Sequence, residues 1–371
     1  MRSILRALSV LSLLVFLPVV SYLGTATGQR AETAPSVNQT KAAKPGAARS
    51  ADNSGKPDDY REDFAVLPLE KNRLKTEIEI LGEKDDKPGM PFIRERWHLM
   101  WRPGDPIDVF IVRPRDIERP PVVLYLYSFP QDTDRFKQDY WCGQTTAGGF
   151  AAVGFVSALT GQRVEQRSLK EDFFNQLPES MGATAHDVQM ILNYLASRGD
   201  LDMSRVGMLG QGSGGSIAIL ASAVDPRIKA LDLLTPWGNW PLFLEKSTFV
   251  PSEDRLELNK PEFLAKVAPV DPLQWLPAVK AQSVRIQDVR SDGHMPDEAQ
   301  EAMEAAAPPA AEIDQFGDGA ALVPAAANGR LLEWIKGRLQ PDAKPQVAAD
   351  RSQRVHFHPA KGETNPLGEA R

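Results

Sequence analysis

The chain has 371 residues, of which 42% are hydrophobic and 25% charged, and its formal net charge is −6 at pH 7. That length suffices for one large domain with tails or for two small domains. The acidic balance, without a Lys/Arg run among aromatic residues, argues against nucleic acid as a partner. The single cysteine, Cys142, excludes an intrachain disulfide.

Residues 1–28 have the pattern of a secretory signal peptide. Arg2 and Arg6 precede an apolar run from Ala7 to Val20, and small residues follow at a suitable cleavage site. We therefore expect an exported protein, periplasmic or secreted. An uncleaved segment would instead be an N-terminal membrane anchor, and we expect membrane contact only in that case.

Two segments of biased composition flank the remaining sequence. Residues 29–59 are rich in small and polar residues with almost no large apolar residue, which predicts a disordered linker. Residues 341–371 have a similar character and are predicted to form a disordered tail. The folded domain should therefore span residues 60–340.

Strand and helix patterns alternate through this domain. Residues 93–99 and 106–112 predict an opening hairpin, and the helix predicted at 187–197 has an apolar face. Residues 237–272 are rich in aromatic side chains and predict a lid-like insertion. We expect a single α/β domain with a mostly parallel central sheet that helices cover on both faces. Further strands are predicted at residues 121–127, 149–159, 205–210, 228–234, 284–289 and 311–316.

A glycine-rich turn joins a predicted strand to a predicted helix at residues 205–216, RVGMLGQGSGGS. The turn fits the pattern G-x-nucleophile-x-G, in which a strained strand-to-helix turn exposes a catalytic side chain. Placing Gly210 and Gly214 on the two glycines puts Gly212 at the nucleophile position, and the apolar strand before Gly210 supports this register. We call residues 210–214 the elbow, and its sequence predicts that the nucleophile is missing.

Ser213 is the alternative nucleophile. That register places Gln211 at the first glycine position and turns the strand by one residue, which swaps the faces that its side chains occupy. The simpler interpretation is a turn serine that hydrogen-bonds nearby backbone. The sequence leaves both interpretations open.

Four stretches together resemble the α/β-hydrolase family, especially its dienelactone hydrolase, acyl esterase and prolyl-oligopeptidase-like branches. They are the strand at 121–127, the helix, strand and elbow at 187–215, the segment Asp271-Pro-Leu, and residues 291–296, SDGHMP. The resemblance covers residues 90–340. It implies a serine, cysteine or aspartate nucleophile, a carboxylate and a histidine base, in that chain order.

The sequence departs from the family pattern at three functional positions. Gly212 replaces the nucleophile, and Ala320 stands where the family has its histidine. Ser128 and Phe129 occupy the oxyanion loop, where the family usually has H-G-G. The acid is kept, because Asp292 begins a segment, DGHMP, with the spacing of the family pattern D-x-x-V-P.

These departures favour an exported, non-catalytic homologue of serine esterases and peptidases that acts by binding a small molecule, a peptide or a partner. Because nucleophile and base act as one unit, losing either removes most of the catalysis. The alternative is an active serine hydrolase of ester or peptide bonds, with Ser213 attacking, His294 as base and Asp292 orienting it. A third hypothesis is a structural scaffold whose pocket is packed with side chains.

The segment Gly210-x-Gly212-x-x-Gly215 also fits the dinucleotide-binding fingerprint, which follows a strand and opens a helix. That function needs an acidic residue at the tip of the next strand, about 20 residues on. The candidate, Asp232, falls in the middle of a predicted strand. Dinucleotide binding therefore remains a minor alternative, and the sequence indicates neither a cofactor nor a metal site.

Overall fold

A computed structural model describes residues 61–360, except residues 73, 75–78, 103, 130, 132, 160–162, 164–168, 291, 328–329 and 349. The predicted signal peptide at 1–28 and the predicted linker at 29–59 lie outside the described residues. Within the described ranges, no helix is long and apolar enough to cross a membrane.

One ten-stranded sheet organises this part of the chain. Its strands are β1 (Glu79–Asp85), β2 (Phe92–Met100), β3 (Ile107–Pro114), β4 (Pro121–Leu126), β5 (Ala151–Phe155), β6 (Asp202–Gln211), β7 (Ile228–Leu234), β8 (Ser283–Val289), β9 (Glu312–Phe316) and β10 (Val355–His358). They lie in the order β1-β2-β3-β5-β4-β6-β7-β8-β9-β10. The first three strands are antiparallel and β3 is antiparallel to β5, whereas all pairs from β5 to β10 are parallel.

Helices follow most of the parallel strands. They are α1 (Asp139–Thr146), α2 (Leu169–Arg198), α3 (Ser213–Val224), α4 (Trp240–Lys246), α5 (Arg255–Leu258), α6 (Pro261–Val267), α7 (Pro272–Trp275), α8 (Asp297–Ala306), α9 (Gly319–Ala327), α10 (Arg330–Arg338) and α11 (Arg351–Arg354). The longest, α2, begins well before the start predicted at Asp187, and its first half contains Pro178. The predicted alternation of strands and helices is otherwise confirmed.

Strand β4 shows how the helices cover both faces of the sheet. Val122 and Leu124 are buried in one apolar cluster with side chains of α2 and α3. Val123 and Tyr125 are buried in a second cluster with side chains of α1 and α10. Because successive side chains of a strand point to opposite faces, a strand buried on both faces must be apolar throughout. The continuous apolar run of β4 is therefore explained, and the mostly parallel, two-sided sheet is confirmed.

The insertion at residues 237–272 contains the short helices α4, α5 and α6. It begins just after the carboxyl end of β7, and its side chains Trp237, Trp240 and Phe243 are buried in the apolar cluster that contains α3. The insertion is thus packed against the domain. Its role as a lid stays a prediction.

The end of the chain differs from the disorder predicted for residues 341–371. Residues 351–358 form α11 and β10, and β10 pairs in parallel with β9. The ring of His358 stacks on Phe316 with centroids 4.6 Å apart, and Gly317 N donates to His358 O at 2.8 Å. A four-residue strand is too short to show an alternating pattern, so tertiary pairing decides its structure. Residues 361–371 lie outside the described residues.

A buried ion cluster ties residue 62 to the start of the core. Arg102 donates to Glu62 at 2.5 and 2.6 Å and also to Asp187. Arg163 bridges Asp187, at 2.8 Å, and Asp105, at 2.6 Å. The side chains of Glu62 and Asp187 are almost fully buried, and buried carboxylates require such paired cations. The partners lie far apart in the sequence, so no local pattern indicates the cluster.

Candidate functional site

The elbow connects β6 to α3 at the carboxyl edge of the parallel strands. Strand β6 ends at Gln211, helix α3 begins at Ser213, and Gly212 lies between them with φ 50° and ψ −120°. A side chain at this positive φ would strain the backbone, which is the conformation expected of an elbow nucleophile. The backbone therefore supports the register that puts Gly212 at the nucleophile position.

Ser128 occupies the space beside Gly212. A Cβ atom placed on Gly212 would lie 2.8 Å from Ser128 Cβ and still closer to Ser128 Oγ. It would also lie 3.3 Å from Trp237 Nε1. Real side chains do not approach so closely without displacement. The volume that a nucleophile would need is thus taken by a side chain of the oxyanion loop.

The two amide groups at the predicted oxyanion positions are engaged within the chain. In this kind of site, the donors are the backbone N–H after the nucleophile and an N–H of the loop after an inner strand. Here these are Ser213 N and Phe129 N. Phe129 N donates to Ser213 Oγ at 3.0 Å, and Ser213 N donates to Ser128 Oγ at a longer 3.4 Å. Ser213 is 1% exposed, so it has the contacts of a buried turn serine.

Aromatic rings pack over the elbow. The ring of Phe129 lies 4.5 Å from that of Phe173 and 5.8 Å from that of Phe249. The ring of Trp237 lies 5.0 Å from that of Phe249. We call these four residues the ring cluster. It joins the oxyanion loop, helix α2 and the insertion, and it forms an apolar wall beside the elbow.

Asp292 and His294 form a pair on a second loop, which follows β8. Asp292 Oδ1 lies 3.1 Å from His294 Nδ1, and this hydrogen bond raises the pKa of His294, partly offset by burial. The insertion holds the loop, because Thr248 donates to Gly293 O and Ser247 donates to His294 O. We call residues 292–296 the acid loop.

The structure groups the predicted site residues into separate sets. Ser128, Phe129, Gly212 and Ser213 lie together at the elbow, while Asp292 and His294 pair on the acid loop. Within the described part of the chain, no hydrogen bond joins Ser213 to His294. The sequence-based set of Ser213, His294 and Asp292 is therefore not assembled as a hydrogen-bonded triad.

Ala320, at the predicted base position, lies in the first turn of α9, just after β9. It is exposed. The neighbouring Asp318 accepts a hydrogen bond from Ala321 N at 2.8 Å and so caps the helix. The side chain of an alanine has no group that could accept a proton.

Dinucleotide binding would require Asp232 to reach the ribose of the ligand. Asp232 is fully buried within β7, and its carboxylate binds Arg285 at 2.7 Å and Gln287 Nε2 at 2.9 Å. Burial raises the pKa of Asp232, and Arg285 opposes that rise. A carboxylate held in the middle of the sheet has no access to a ribose hydroxyl. Asp232 therefore gives this minor alternative no support.

Sequence reasoning missed two features of the site. Ser128 was recognised as a departure from the family pattern, but not as the side chain that fills the nucleophile's space. Phe173 was not singled out, because it precedes the helix segment predicted from its apolar spacing. The sequence does point to Trp237, because it is one of several aromatic residues in the insertion.

The sequence matches no protein-family model and no curated protein. Solved structures resemble it in fold. Acetyl xylan esterase 1 from Thermoanaerobacterium sp. JW/SL YS485 superposes with a TM-score of 0.54 at 16% identity, over 71% of this chain and 89% of that one. The acetyl xylan esterase from Paenibacillus sp. R4 superposes with a TM-score of 0.54 at 16% identity, over 70% of this chain and 92% of that one.

The Pyrococcus horikoshii acylaminoacyl peptidase gives a TM-score of 0.52 at 14% identity, over 77% of this chain but only 45% of the peptidase. Identities this low show the fold and leave the activity open. The likeness agrees with the mostly parallel sheet that helices cover on both faces. The protein has the α/β-hydrolase fold.

Proposed function

We propose that this protein is a non-catalytic member of the α/β-hydrolase fold that acts by binding a small molecule, a peptide or a partner. One observation carries the proposal. Gly212 has the backbone conformation of an elbow nucleophile, and Ser128 fills the space that the nucleophile's side chain would need. An esterase or peptidase of this kind cannot form its acyl intermediate without a nucleophile at that position.

The remaining groups support the same conclusion. Phe129 N and Ser213 N, which could stabilise an oxyanion, already donate within the chain. Donors committed in the ground state must break existing hydrogen bonds before they can stabilise a transition state, which removes the benefit of preorganisation. Ala320 offers no base, and the pair on the acid loop has no hydrogen bond to the elbow serine.

Ester and amide hydrolysis tests the proposal directly. We expect the full chain to hydrolyse nitrophenyl acetate, nitrophenyl butyrate and aminoacyl naphthylamides no faster than the Ser213→Ala variant does. The matched control is Ser222→Ala, which removes a buried hydroxyl without a hydrogen-bond partner from the same helix. Turnover that disappears in Ser213→Ala but persists in Ser222→Ala would contradict the proposal.

The second candidate is an active serine hydrolase that uses Ser213, His294 and Asp292. The hydrogen-bonded pair on the acid loop is the observation that favours it, because an imidazole oriented by a carboxylate is the usual base for a serine. A fluorophosphonate probe followed by peptide mapping separates the candidates. Covalent labelling of Ser213 supports the active hydrolase, and an unlabelled Ser213 supports the non-catalytic protein.

We also propose that the protein is exported to the periplasm or beyond. The proposal rests on the charged and apolar pattern of residues 1–28. N-terminal sequencing of the protein from cell fractions tests it. A mature chain that begins at Gln29 supports export after cleavage, whereas an intact N-terminus in the membrane fraction supports an anchor.

A further inference from the structure

Trp237 is held against the elbow by its own backbone. Its N–H donates to Gly212 O at 3.2 Å, and its carbonyl accepts from Ser216 Oγ at 2.7 Å. On either side of it, Thr235 and Asn239 have positive φ angles of 41° and 55°. Such a conformation is strained for a β-branched residue like Thr235, and it persists only where surrounding contacts enforce it. The loop therefore fixes the position of the indole ring.

The indole N–H of Trp237 has no acceptor within the described part of the chain. The side chain is 4% exposed, and Nε1 lies 3.3 Å from where a Cβ atom on Gly212 would sit. Five other tryptophans donate their indole N–H to a carboxylate or a backbone carbonyl. The indole N–H of Trp237 is therefore available to an acceptor that sits at the elbow.

Two further features at the elbow favour an anion. Helix α3 begins there, and its cap residue, Gly212, has no side chain that could accept from the first N–H groups. The first N–H groups of a helix and its dipole attract negative charge. Ser128 Oγ accepts from Ser213 N, and among the described residues no acceptor takes its hydroxyl hydrogen. The site thus presents a hydroxyl and an indole donor at a helix N-terminus.

The ring cluster determines which kind of anion fits. The rings of Trp237 and Phe249 lie 5.0 Å apart, and Phe129 and Phe249 are only partly buried. These rings can therefore cover an apolar group that is attached to the anion. A small inorganic anion would leave the aromatic wall unused.

We propose that the elbow binds a small carboxylate with an aromatic or other apolar body. The carboxylate accepts hydrogen bonds from Trp237 Nε1 and Ser128 Oγ beside the N-terminus of α3, and the body packs on the ring cluster. This inference rests on the proposed function, because it uses as a binding site the space in which a hydrolase would carry out its chemistry. It names the ligand class of that same site.

Phenylacetate is the probe that we would use with the full chain. Indole N–H resonances report binding, and that of Trp237 is identified by its absence in Trp237→Phe. We expect saturable binding that shifts this resonance. Trp237→Phe keeps an aromatic ring but removes the donor, and it should weaken binding measured from the ligand signal by about tenfold or more. The matched control, Trp275→Phe, removes an indole that donates to Pro269 O and should leave binding unchanged.

Two comparison ligands separate the parts of the proposal. Acetate lacks the body and 2-phenylethanol lacks the carboxylate, so both should bind more weakly than phenylacetate. Phenylacetate that does not saturate, or that binds Trp237→Phe as tightly as the wild type, would overturn the inference. If Trp237→Phe does not fold, phenylacetate binding to Ser128→Ala tests the inference instead. Weaker binding than that of the wild type would support the inference, and equal binding would overturn it.

These outcomes are independent of the hydrolysis test. Ester turnover that depends on Ser213 overturns the proposed function whether or not phenylacetate binds. Absent turnover combined with absent phenylacetate binding leaves the non-catalytic function standing and rejects only this ligand class.

Discussion

The elbow and the acid loop both lie at the carboxyl edge of the sheet, but they have departed from the hydrolase pattern to different degrees. At the elbow, Gly212 lacks a side chain, Ser128 fills the adjacent space, and the nearby amides donate within the chain. On the acid loop, Asp292 and His294 still form a hydrogen-bonded pair. The backbone of the turn is present at the elbow, whereas a hydrogen-bonded carboxylate and imidazole are present on the acid loop.

The difference separates what the elbow needs for packing from what a hydrolase needs for catalysis. The turn between β6 and α3 must still allow the helix to pack on the sheet, so its glycines stay necessary. The nucleophile's side chain is dispensable, and its absence relieves backbone strain at a positive φ.

Gly214→Ala should have the largest effect on the free energy of unfolding. A Cβ atom on Gly214 would lie 2.6 Å from Leu126 C and 2.7 Å from Tyr127 O, both backbone atoms of β4 or its continuation. These backbone atoms cannot move aside as a side chain could. We therefore expect the free energy of unfolding, measured by urea unfolding, to fall by about 3 kcal/mol. Gly337→Ala is the matched control, since a Cβ atom there meets nothing within 4 Å. It should stabilise helix α10 by about 0.5–1 kcal/mol, and equal losses in both variants would contradict the packing argument.

Gly212→Ala should have the next largest effect, and a second substitution should partly reverse it. Alanine must adopt the positive φ and must also displace Ser128, so we expect a loss of about 2–3 kcal/mol in urea unfolding. Adding Ser128→Gly removes the steric part and should recover about 1 kcal/mol. Additive losses in the double variant would show that Ser128 does not occupy the nucleophile's space.

Ser213→Ala should lower the free energy of unfolding by less, about 1–2 kcal/mol, because it leaves Phe129 N without its acceptor inside the protein. Ser222→Ala provides the comparison in the same helix, since the Ser222 hydroxyl is buried without a hydrogen-bond partner. Removing it should be neutral or slightly stabilising. If the two variants lose equal stability in urea unfolding, the hydrogen bond from Phe129 has no special role.

Most of the fold follows from local sequence patterns. The continuous apolar run of β4 indicates a buried parallel strand, and the glycines of the elbow indicate a sharp strand-to-helix turn. Strand β10 and the ion cluster around Arg102 could not be predicted in this way. The first is too short to show a period, and the second joins Arg102 to carboxylates 40 and 85 residues away in the chain.

The candidate site was predictable in part. The proposal that Gly212 and Ala320 replace a nucleophile and a base comes from the sequence alone, because motif spacing sets both positions. The position of Ser128 against Gly212 depends on the parallel pairing of β4 with β6, which places the ends of the two strands side by side. The spacing of residues along the sequence does not indicate this contact. The unpartnered indole N–H of Trp237 likewise depends on the conformation of a strained loop.

His294 provides the smallest predicted effect and the clearest check on the acid loop. Its pKa is raised above the ordinary value of 6.5, mainly by the hydrogen bond to Asp292. A raised folded-state pKa means that the imidazolium stabilises the fold fully below the unfolded-state pKa, and that this contribution is lost as pH rises through the folded-state pKa. The stability difference between wild type and His294→Gln should therefore be larger near about pH 5 than near about pH 9, by about 1 kcal/mol at most, in urea unfolding.

The Asp292→Asn background gives the control for this pH dependence. Without the carboxylate, the imidazolium loses the partner that raises its pKa, so the pH-dependent part of the His294→Gln difference should nearly disappear. A pH dependence of equal size in that background would mean that other groups stabilise the imidazolium. The hydrogen bond to Asp292 would then not be what raises the pKa of His294, and the contrast between the two loops would not hold.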